Sequence, residues 1–441
     1  MTTRIHIIGV AGAGMSGLAR LLAGQGFVVS GCDVHAGSTL DDLAEAGITV
    51  FAEHDSNHVE NIDLLLWSPA ISADHPERTR AGEVGVSTLD RASMLAQLGH
   101  EHELIGVTGT HGKTTATSML AWIMHESGRD AGWLLGAEIR GLGPNGRFGP
   151  DGLLVEVDES YGTFSLVAPA ALALLNIEPD HLDYYGNLQA LETAFQELTQ
   201  RTTGPVVYLR TDPGARRVGD ALDGAISVGV GGDWAIENVE LSRRAAHFEL
   251  VSKSTTMKLS LQVPGRHNVS NAAVVAVLAH ALGVSESAIA SGLSKFQGAP
   301  RRFEFRGSYQ GVDVYEDYAH LPGEIAATLD AARDAGYERV GVVFQPHRIT
   351  RTLSLAQELA DSLVDASWII VTDIYDAGEE NPEKITGALV ATPLSSAHGQ
   401  VSYIENIDQV WAALSTQSPV DAIFFLGAGD ISTVIPELDP Q

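Results

Sequence analysis

The stretch that decides the fold is "GVTGTHGKTTATSML", residues 106–120. An apolar run ends at Val107, a loop of small residues follows, and a helix-like segment begins at Lys113. A strict phosphate-binding loop reads G-x-x-x-x-G-K-[ST], but valine stands at position 107, where its first glycine belongs. What remains is G-x-x-G-K-T after a strand, whose glycines let the backbone approach a phosphate and whose lysine reaches it. The stretch predicts a phosphate cradle; a purely structural turn is the alternative.

A second glycine-rich loop stands near the start of the chain. Gly12, Gly14 and Gly17 form G-x-G-x-x-G directly after the strand-like run "RIHIIG", and Asp33 ends the next strand. Such a loop at a helix start holds a diphosphate on backbone N–H groups and on the positive end of the helix dipole. The alternative is that these glycines serve only tight packing of strand and helix.

Composition narrows the class of protein. The chain has 441 residues, 44% of them hydrophobic and 19% charged, which indicates a globular protein of two to four domains. A formal net charge of −29 weighs against non-specific binding to nucleic acid or to an anionic membrane. Cys32 is the only cysteine, and neither a signal peptide nor a membrane-spanning run is visible. We expect a soluble cytoplasmic protein.

Alternation of strand-like and helix-like segments predicts an α/β fold of three domains. We place a Rossmann-like domain at 1–98, a central domain with a P-loop ATPase-type sheet at 99–297, and a Rossmann-like α/β domain at 298–441. The polar stretch "AQLGHEHE", 96–103, is interpreted as a linker. The segment 226–263 alternates apolar and polar residues and predicts antiparallel strands, and "NVSNAAVVAVLAHALG" predicts a helix that stops at Gly283.

Acidic residues follow the strands of the central domain. Glu156 and Asp158 lie at the end of the run "GLLVEV", where P-loop proteins place carboxylates for Mg²⁺. His181 follows another strand, in "NIEPDHLDYYG", beside Asp180. A lone histidine is usually unremarkable, but this setting favours a metal or substrate contact.

Seven motifs in order resemble the Mur ligases, the ATP-dependent amino-acid ligases of peptidoglycan synthesis. They are "GTHGKTT", "EVDES", "NIEPDHLDYY", "HNVSN", "RRF", "EDYAHLP" and "FQPHRITRT". The resemblance covers essentially the whole chain. It implies ATP and Mg²⁺ as cofactors and a monomer or homodimer without nucleic-acid partner or membrane insertion. The opening "IHIIGVAGAGMSGLA" and the histidine of "GTHGK" most resemble the member that joins L-alanine to UDP-N-acetylmuramate.

In that reaction the γ-phosphoryl group of ATP activates the lactyl carboxylate as an acyl phosphate, which the amine of L-alanine then attacks. Some sister ligases use a carbamylated lysine in the central domain, whereas no lysine lies between Lys113 and Lys253 here. The family often has two histidines in "D-D-Y-G-H-H-P"; here Leu321 replaces the second, so that only His320 can fill this role.

The resemblance implies the following site residues. The catalytic residues are Lys113, His181 and Arg302. The ATP site comprises Gly109, Thr110, His111, Gly112, Lys113, Thr114, Thr115, Asn268, Asn271, Arg302 and Asp317. Metal ligands are Thr114, Glu156 and His181. The substrate sites comprise Gly12, Gly14, Met15, Ser16, Gly17, Asp33 and Ser68 for the uridine diphosphate, and His320, His347, Arg348 and Arg351, with "YDAGE" at 375–379, for the amino acid.

Simpler interpretations exist for some of these residues. Asn268 could cap a helix, and the basic cluster around Arg348 could be an ordinary set of surface ion pairs. Arg302 and Asp317 would meet ATP only after closure of the third domain. Three functional alternatives remain: the recycling ligase that attaches a tripeptide to the same sugar nucleotide, an NAD-dependent dehydrogenase using the first loop, and a non-catalytic nucleotide sensor. The triad Lys113, Glu156 and His181 argues against the last.

Overall fold

The computed structural model describes residues 2–34, 37–68 and 70–439, with the backbone alone at Tyr161, Thr163 and Asp183. The chain divides into two compact units. The first comprises Met1–Glu240, His247–Gln262 and His267–Gln297, and the second comprises Leu241–Ala246, Val263–Arg266 and Gly298–Gln441. Two large sheets lie in the first unit and a third in the second, which confirms the predicted three-domain α/β fold. The domain boundaries themselves stay a prediction.

The N-terminal sheet has the order β3-β2-β1-β4-β5, and all its pairings are parallel. Its strands are β1 Arg4–Ile8, β2 Val28–Cys32, β3 Thr49–Phe51, β4 Leu64–Trp67 and β5 Ser87–Asp90. Its helices are α1 Ala13–Gly24, α2 Ser38–Glu45, α3 Pro76–Val84 and α4 Arg91–Glu101, with a 3₁₀ helix at Ser56–Val59. Strand order reverses beside β1, which is where open α/β sheets bind ligands.

The central sheet has the order β12-β11-β10-β6-β9-β7-β8; its strands pair in parallel except β8, which is antiparallel to β7. Its strands are β6 Leu104–Thr108, β7 Ala131–Leu134, β8 Gly146–Pro150, β9 Leu153–Glu156, β10 Ala171–Leu174, β11 Val206–Leu209 and β12 Ile226–Val228. Helices α5 Lys113–Glu126, α6 Leu182–Tyr185, α7 Leu188–Arg201 and α8 Pro213–Gly219 accompany it, with a 3₁₀ helix at Ser160–Leu166. All five residues of β6 are buried, as expected of a parallel strand covered on both faces.

A three-stranded sheet and two helices follow. The strands are β13 Ala235–Leu241, β14 Ala246–Val251 and β15 Thr256–Leu261, and the helices are α9 Arg266–Ala281 and α10 Glu286–Lys295. The predicted stop at Gly283 is confirmed. Gly283 has φ +78°, in the left-handed region that glycine tolerates, and the Val284 N–H returns to the Ala279 carbonyl at 3.0 Å.

The C-terminal sheet has the order β16-β17-β21-β18-β19-β20, with β16 antiparallel to β17. Its strands are β16 Glu304–Tyr309, β17 Val312–Asp317, β18 Val340–Phe344, β19 Trp368–Thr372, β20 Val401–Ile404 and β21 Ala422–Leu426. Its helices are α11 Pro322–Asp334, α12 Ile349–Leu363, α13 Ala388–Ala397 and α14 Val410–Leu414, with 3₁₀ helices at Ile407–Gln409 and Ile431–Val434.

The predicted linker at 96–103 is wrong. Helix α4 continues to Glu101, because Met94, Leu95 and Leu98 supply a buried apolar face at helical spacing. Only two residues then separate α4 from β6. In the part of the chain that the structure describes, no helix has the length and apolar character needed to cross a bilayer.

Candidate functional site

The phosphate loop connects β6 to α5 through residues 109–112. Gly109 has φ +139° and Gly112 has φ +84°, both in the left-handed region. A Cβ atom on Gly109 would lie 2.9 Å from the Asn176 backbone nitrogen, and one on Gly112 would lie 2.7 Å from Nδ2 of Asn271. Both glycines are therefore required by conformation and by space, which leaves the start of α5 open to an anion.

Asn176 holds this loop from the end of β10, a role that sequence reasoning missed although the residue stands in "NIEPDH". Its backbone carbonyl accepts from the Thr110 N–H at 3.1 Å. Its side chain accepts from the His111 N–H at 2.7 Å and donates to the His111 carbonyl at 3.0 Å. Glu178, two residues on, donates its N–H to the Thr110 hydroxyl at 2.9 Å. The loop is thus tied to the neighbouring strand.

Lys113 lies at the mouth of the loop. Its Nζ donates to the Gly109 carbonyl at 2.8 Å and to Oε2 of Glu159 at 2.8 Å, with Oδ1 of Asp158 at 3.7 Å. Burial acts to lower the pKa of Lys113, but the carboxylates of Glu159 and Asp158 outweigh it and raise that pKa. The ammonium group is therefore a permanent positive charge beside the cradle.

Glu156 lies next to the first residues of α5. Its Oε2 accepts from the Gly136 N–H at 3.2 Å, and its carboxylate hydrogen-bonds the Thr114 hydroxyl. Its Oε1 is buried and has no hydrogen-bond partner among the described residues, and burial raises the pKa of this carboxyl. An orphaned buried carboxylate oxygen beside a threonine hydroxyl fits a hard cation such as Mg²⁺.

A second set of oxygen and nitrogen donors lies next to it. One ligand atom each of Asp158, Glu159 and His181 falls within 4.8 Å of the others. Oε1 of Glu159 is also buried and without a partner among the residues described. His181 has φ 51°, and its N–H donates to Asp180 at 2.7 Å. Sequence reasoning placed His181 and Asp158 here but missed Glu159, which "EVDES" sets one position further on.

The other predicted ATP contacts divide between the two units. In the first, Thr115 and the two asparagines of α9, Asn268 and Asn271, are buried, and Asn271 lies against Gly112. His111 reaches Glu178, with 3.5 Å between Nε2 and Oε2. Asn271 therefore lies beside the phosphate loop in space, and its role toward ATP stays a prediction.

The glycine-rich loop begins α1. The N–H groups of Met15 and Ser16 donate to the Gly12 carbonyl at 2.9 and 2.8 Å, so the amides at the open end of the helix are those of Ala13 and Gly14. The side chain of Met15 is buried in the core. Asp33 accepts from the Ala11 N–H at 3.0 Å and so holds the loop from β2.

The central domain also grips this loop. Asn145 donates through Nδ2 to the Ala13 carbonyl at 2.7 Å and to the Ser16 hydroxyl at 2.9 Å. A Cβ atom on Gly17 would lie 2.9 Å from the Asn145 carbonyl. Gly17 therefore allows the two domains to approach, and Asn145 is a contact that sequence reasoning missed.

Arg91, the first residue of α4, is a further missed residue. A Cβ atom on Gly14 would lie 2.8 Å from Cζ of Arg91, so the guanidinium lies over the glycine-rich loop. Its Nε is buried without a hydrogen-bond partner among the described residues. Ser68, at the end of β4, donates its N–H to the Ile8 carbonyl at 3.3 Å and packs against Gly9 just before the loop.

A cavity of about 840 Å³ lies between the N-terminal and central domains, beside the glycine-rich loop. Ala13, Ser16 and Arg20 line it from the N-terminal domain, and residues 136–145 line it from the central domain. Gly136 is the residue whose N–H binds Glu156. The cavity therefore extends from the glycine-rich loop to Gly136, the residue that hydrogen-bonds Glu156, within one compact unit.

In the second unit, Asp317 organises the "RRF" segment. It accepts from the Phe303 N–H at 2.7 Å and from the Ala319 N–H at 2.8 Å, and burial raises its pKa to about 6. Arg301 is fixed by Glu316 at 2.8 Å and by the Gly427 carbonyl at 2.9 Å. Arg302 is less constrained: it is 41% exposed and 3.7 Å from Glu324.

The predicted amino-acid cluster comes together in the same unit. His347 stacks on Tyr375 and lies 3.2 Å from Arg351, and its ring centroid is 5.7 Å from that of His320. Burial, His320 and Arg351 lower the pKa of His347 to about 4. Arg348 is exposed at the start of α12, and its N–H donates to the Tyr375 carbonyl at 2.8 Å.

His320 is oriented by the start of α11. Its Nδ1 lies 2.9 Å from the Tyr318 carbonyl and 3.1 Å from Oε2 of Glu324. Glu379, in the predicted 375–379 segment, accepts from the Thr350 N–H at 3.0 Å. His320 and Tyr375 are more than 50 residues apart in sequence. The parallel strands bring both of them to His347.

Comparison with known proteins gives consistent matches along the chain. Residues 4–103 match the Mur ligase family catalytic domain, 149–279 the Mur ligase middle domain, and 301–429 the Mur ligase glutamate ligase domain. The UDP-N-acetylmuramate–L-alanine ligase of Kineococcus radiotolerans is 41% identical over 99% of this chain and 95% of its own.

Solved structures agree. The UDP-N-acetylmuramate–alanine ligase of Thermotoga maritima superposes with a TM-score of 0.84 at 29% identity, covering 98% of this chain and 97% of its own. A murein peptide ligase from Psychrobacter arcticus gives a TM-score of 0.70 at 24% identity, with 98% and 97% covered, which shows a shared fold. With two glycine-rich loops, an acidic cluster and matches in all three domains, the chain belongs to the Mur ligase family.

Proposed function

We propose that this protein joins L-alanine to the lactyl carboxylate of UDP-N-acetylmuramate at the expense of ATP, in peptidoglycan synthesis. The products are UDP-N-acetylmuramoyl-L-alanine, ADP and phosphate. The relatives with this activity in their names support the proposal over nearly the whole chain. The observation that carries it is the cavity that joins the glycine-rich loop to Gly136 beside Glu156. A sugar nucleotide held at one end can present a carboxylate at the other.

The chemistry requires activation, because a carboxylate is a poor electrophile. A carboxylate oxygen attacks the γ-phosphorus of ATP and ADP leaves; the alanine amine then attacks the acyl carbon and phosphate leaves. Phosphoryl transfer depends on positioning and on neutralised charge rather than on covalent help from the protein. Lys113 supplies a fixed positive charge at the cradle, and the open amides of α5 hold the phosphates.

The acidic groups fit two divalent cations. Thr114 and Glu156 would hold the one bound with ATP, and His181, with Asp158 and Glu159, would hold the other. Mg²⁺ bound there supplies charge neutralisation between mutually repelling anions. Sequence reasoning offered Thr114, Glu156, Asp158 and His181; the orphaned oxygen of Glu159 supports the addition of this residue.

The remaining roles are proposals of the same kind. The amides of Ala13 and Gly14 and the guanidinium of Arg91 suit the diphosphate of the sugar nucleotide. Asn268 and Asn271 suit the nucleotide side of the ATP site. In the second unit, Arg302 and Asp317 are proposed for ATP, and the cluster around His347 for the alanine carboxylate, with His320, Arg348 and Arg351.

The test is phosphate release by the full chain with ATP, Mg²⁺ and UDP-N-acetylmuramate, comparing L-alanine, glycine, L-serine and the tripeptide. We expect L-alanine to give the highest kcat/KM. Lys113→Ala should abolish release yet leave binding of UDP-N-acetylmuramate largely intact, whereas Lys258→Ala, 82% exposed, should match the wild type. Normal turnover of the Lys113 variant would refute the assignment.

The recycling ligase is the second candidate, supported by the shared fold of the murein peptide ligase. It shares nearly every motif and differs in the accepted amine. A tripeptide preferred to free L-alanine in the same assay would select it.

A further inference from the structure

A cluster of metal-binding side chains lies in the N-terminal domain apart from the site above. His6 on β1, Cys32 at the end of β2 and Glu77 in the first turn of α3 are completely buried. His58, in the 3₁₀ helix 56–59, closes the group. They sit in a small apolar core that includes Ile8, Val59, Leu65 and Ala81. None of these side chains belongs to the proposed ATP site or to the glycine-rich loop.

The spacing of the donor atoms is that of a coordination sphere. Glu77 has one oxygen 3.1 Å from Nε2 of His6 and the other 3.1 Å from Sγ of Cys32. Sγ lies 3.4 Å from the His6 nitrogen, and Nδ1 of His58 lies 3.3 Å from Glu77. All four donor atoms are within 4.8 Å of one another. A tetrahedral Zn²⁺ with bonds of about 2.0–2.3 Å places its ligand atoms about 3.3–3.8 Å apart.

The ring of His6 has a partner at each nitrogen. Nδ1 lies 2.8 Å from the Ser30 hydroxyl, and Nε2 faces the Glu77 carboxylate at 3.1 Å and the sulfur at 3.4 Å. When Nδ1 carries the ring proton and donates it to Ser30, the lone pair of Nε2 is available to a cation. A divalent ion between these groups would neutralise the Glu77 carboxylate. A ligand histidine held through its other nitrogen is also the usual second shell of a metal.

Two more histidines lie against the buried group. His54 is 21% exposed, and its Nδ1 lies 3.2 Å from Cys32 and 3.5 Å from Glu77. His75 packs edge-on against His54, with ring centroids 4.5 Å apart, and both of its ring nitrogens lack a partner among the described residues. With Glu77 these two histidines form a second triplet of donors. Two further imidazoles, one of them partly exposed, therefore lie against the interior site.

The geometry points to a structural site for Zn²⁺ or a similar thiophilic divalent ion, with His6, Cys32, His58 and Glu77 as ligands. Binding replaces the thiol proton, which leaves to solvent as the sulfur–metal bond forms. The site ties β1, the end of β2 and the 3₁₀ helix 56–59 to α3. Its soft sulfur and imidazole ligands separate it from the oxygen-rich Mg²⁺ site.

The single cysteine makes the test selective. The full chain is first treated with a chelator to remove bound metal and exchanged into a buffer that contains Mg²⁺. It is then titrated with Co²⁺ and afterwards with Zn²⁺. After desalting, elemental analysis gives the amount of zinc retained. We expect a thiolate-to-cobalt charge-transfer band that Zn²⁺ abolishes, and about one Zn²⁺ retained per chain. Cys32→Ser should remove the band, and His58→Ala should weaken Zn²⁺ binding at least about tenfold.

Two controls locate the signal. His247→Ala, an exposed histidine, should leave the band and the retained zinc unchanged, and so should His181→Ala in the proposed Mg²⁺ site. If Cys32→Ser fails to fold, the His58 variant and the band of the wild type decide alone. The proposal would be overturned if the wild type showed no band, or if the His58 and Cys32 variants retained as much zinc as the wild type. Either result would favour a His6–Glu77 ion pair instead.

Discussion

Replacement of Asn176 by alanine tests whether the phosphate loop is preorganised by the neighbouring strand. The substitution removes two side-chain bonds to His111, at 2.7 and 3.0 Å, and keeps the backbone bond from Thr110. Each bond contributes about 1 kcal/mol, so the loop loses about 2 kcal/mol of fixation. Because the cradle binds phosphate only in its ordered form, this translates into an increase in the KM for ATP of up to about thirtyfold.

The assay is phosphate release at saturating UDP-N-acetylmuramate and L-alanine, with ATP varied. Asn187→Ala is a matched control, because Asn187 caps α7 by accepting from the Ala190 N–H at 2.9 Å. That variant should lose about 1 kcal/mol of stability and keep the wild-type KM for ATP. A wild-type KM in Asn176→Ala, or an equal rise in both variants, would refute the idea that Asn176 shapes the cradle.

Two further substitutions test other elements of the site. Gly112→Ala should lower Tm and raise the KM for ATP, because its Cβ would meet Asn271 at 2.7 Å. Gly283→Ala, at a similar φ but with nothing within 4 Å, should lose only about 1 kcal/mol of stability without kinetic effect; equal behaviour of the two would contradict the crowding argument. The buried carboxyl of Asp317 stabilises the fold when protonated, because its folded pKa of about 6 exceeds the ordinary 3.8. The free energy of unfolding of the wild type should therefore fall by about 3 kcal/mol, relative to that of Asp317→Asn, as pH rises from about 4 through about 6. Urea unfolding of both proteins across this pH range measures the difference. Parallel pH profiles would exclude the raised pKa of Asp317.

Local patterns predicted the parts of the site that a single segment builds. The loop at 109–112 and the glycine-rich loop could be foreseen because backbone geometry and helix dipoles act over a few residues. The cluster of His320, His347 and Arg351 was foreseen as well, through the resemblance, and the sheet brings these residues together.

Contacts across long sequence separations could not be foreseen. Asn145 lies more than 120 residues from the loop that it holds, and Arg91 was hidden in a stretch next to a supposed linker. Asn176 and Glu159 stand inside recognised motifs, but the sequence analysis assigned roles to their neighbours in those motifs. Burial and distances in the structure show that Asn176 binds the phosphate loop and that Glu159 has an unpaired oxygen among the described residues. The sequence alone does not distinguish either residue from the one beside it.

The lysine of the cradle has a consequence for how the nucleotide arrives. Its charge is already satisfied by the Gly109 carbonyl and Glu159, each at 2.8 Å. An incoming phosphate of the proposed ATP would therefore displace these acceptors in an exchange, and would not capture a bare cation. The net attraction would be the difference between two pairings, so the same acceptors would regain the ammonium once the phosphoryl group had gone. The contacts that the loop makes at rest would then assist release of the proposed product.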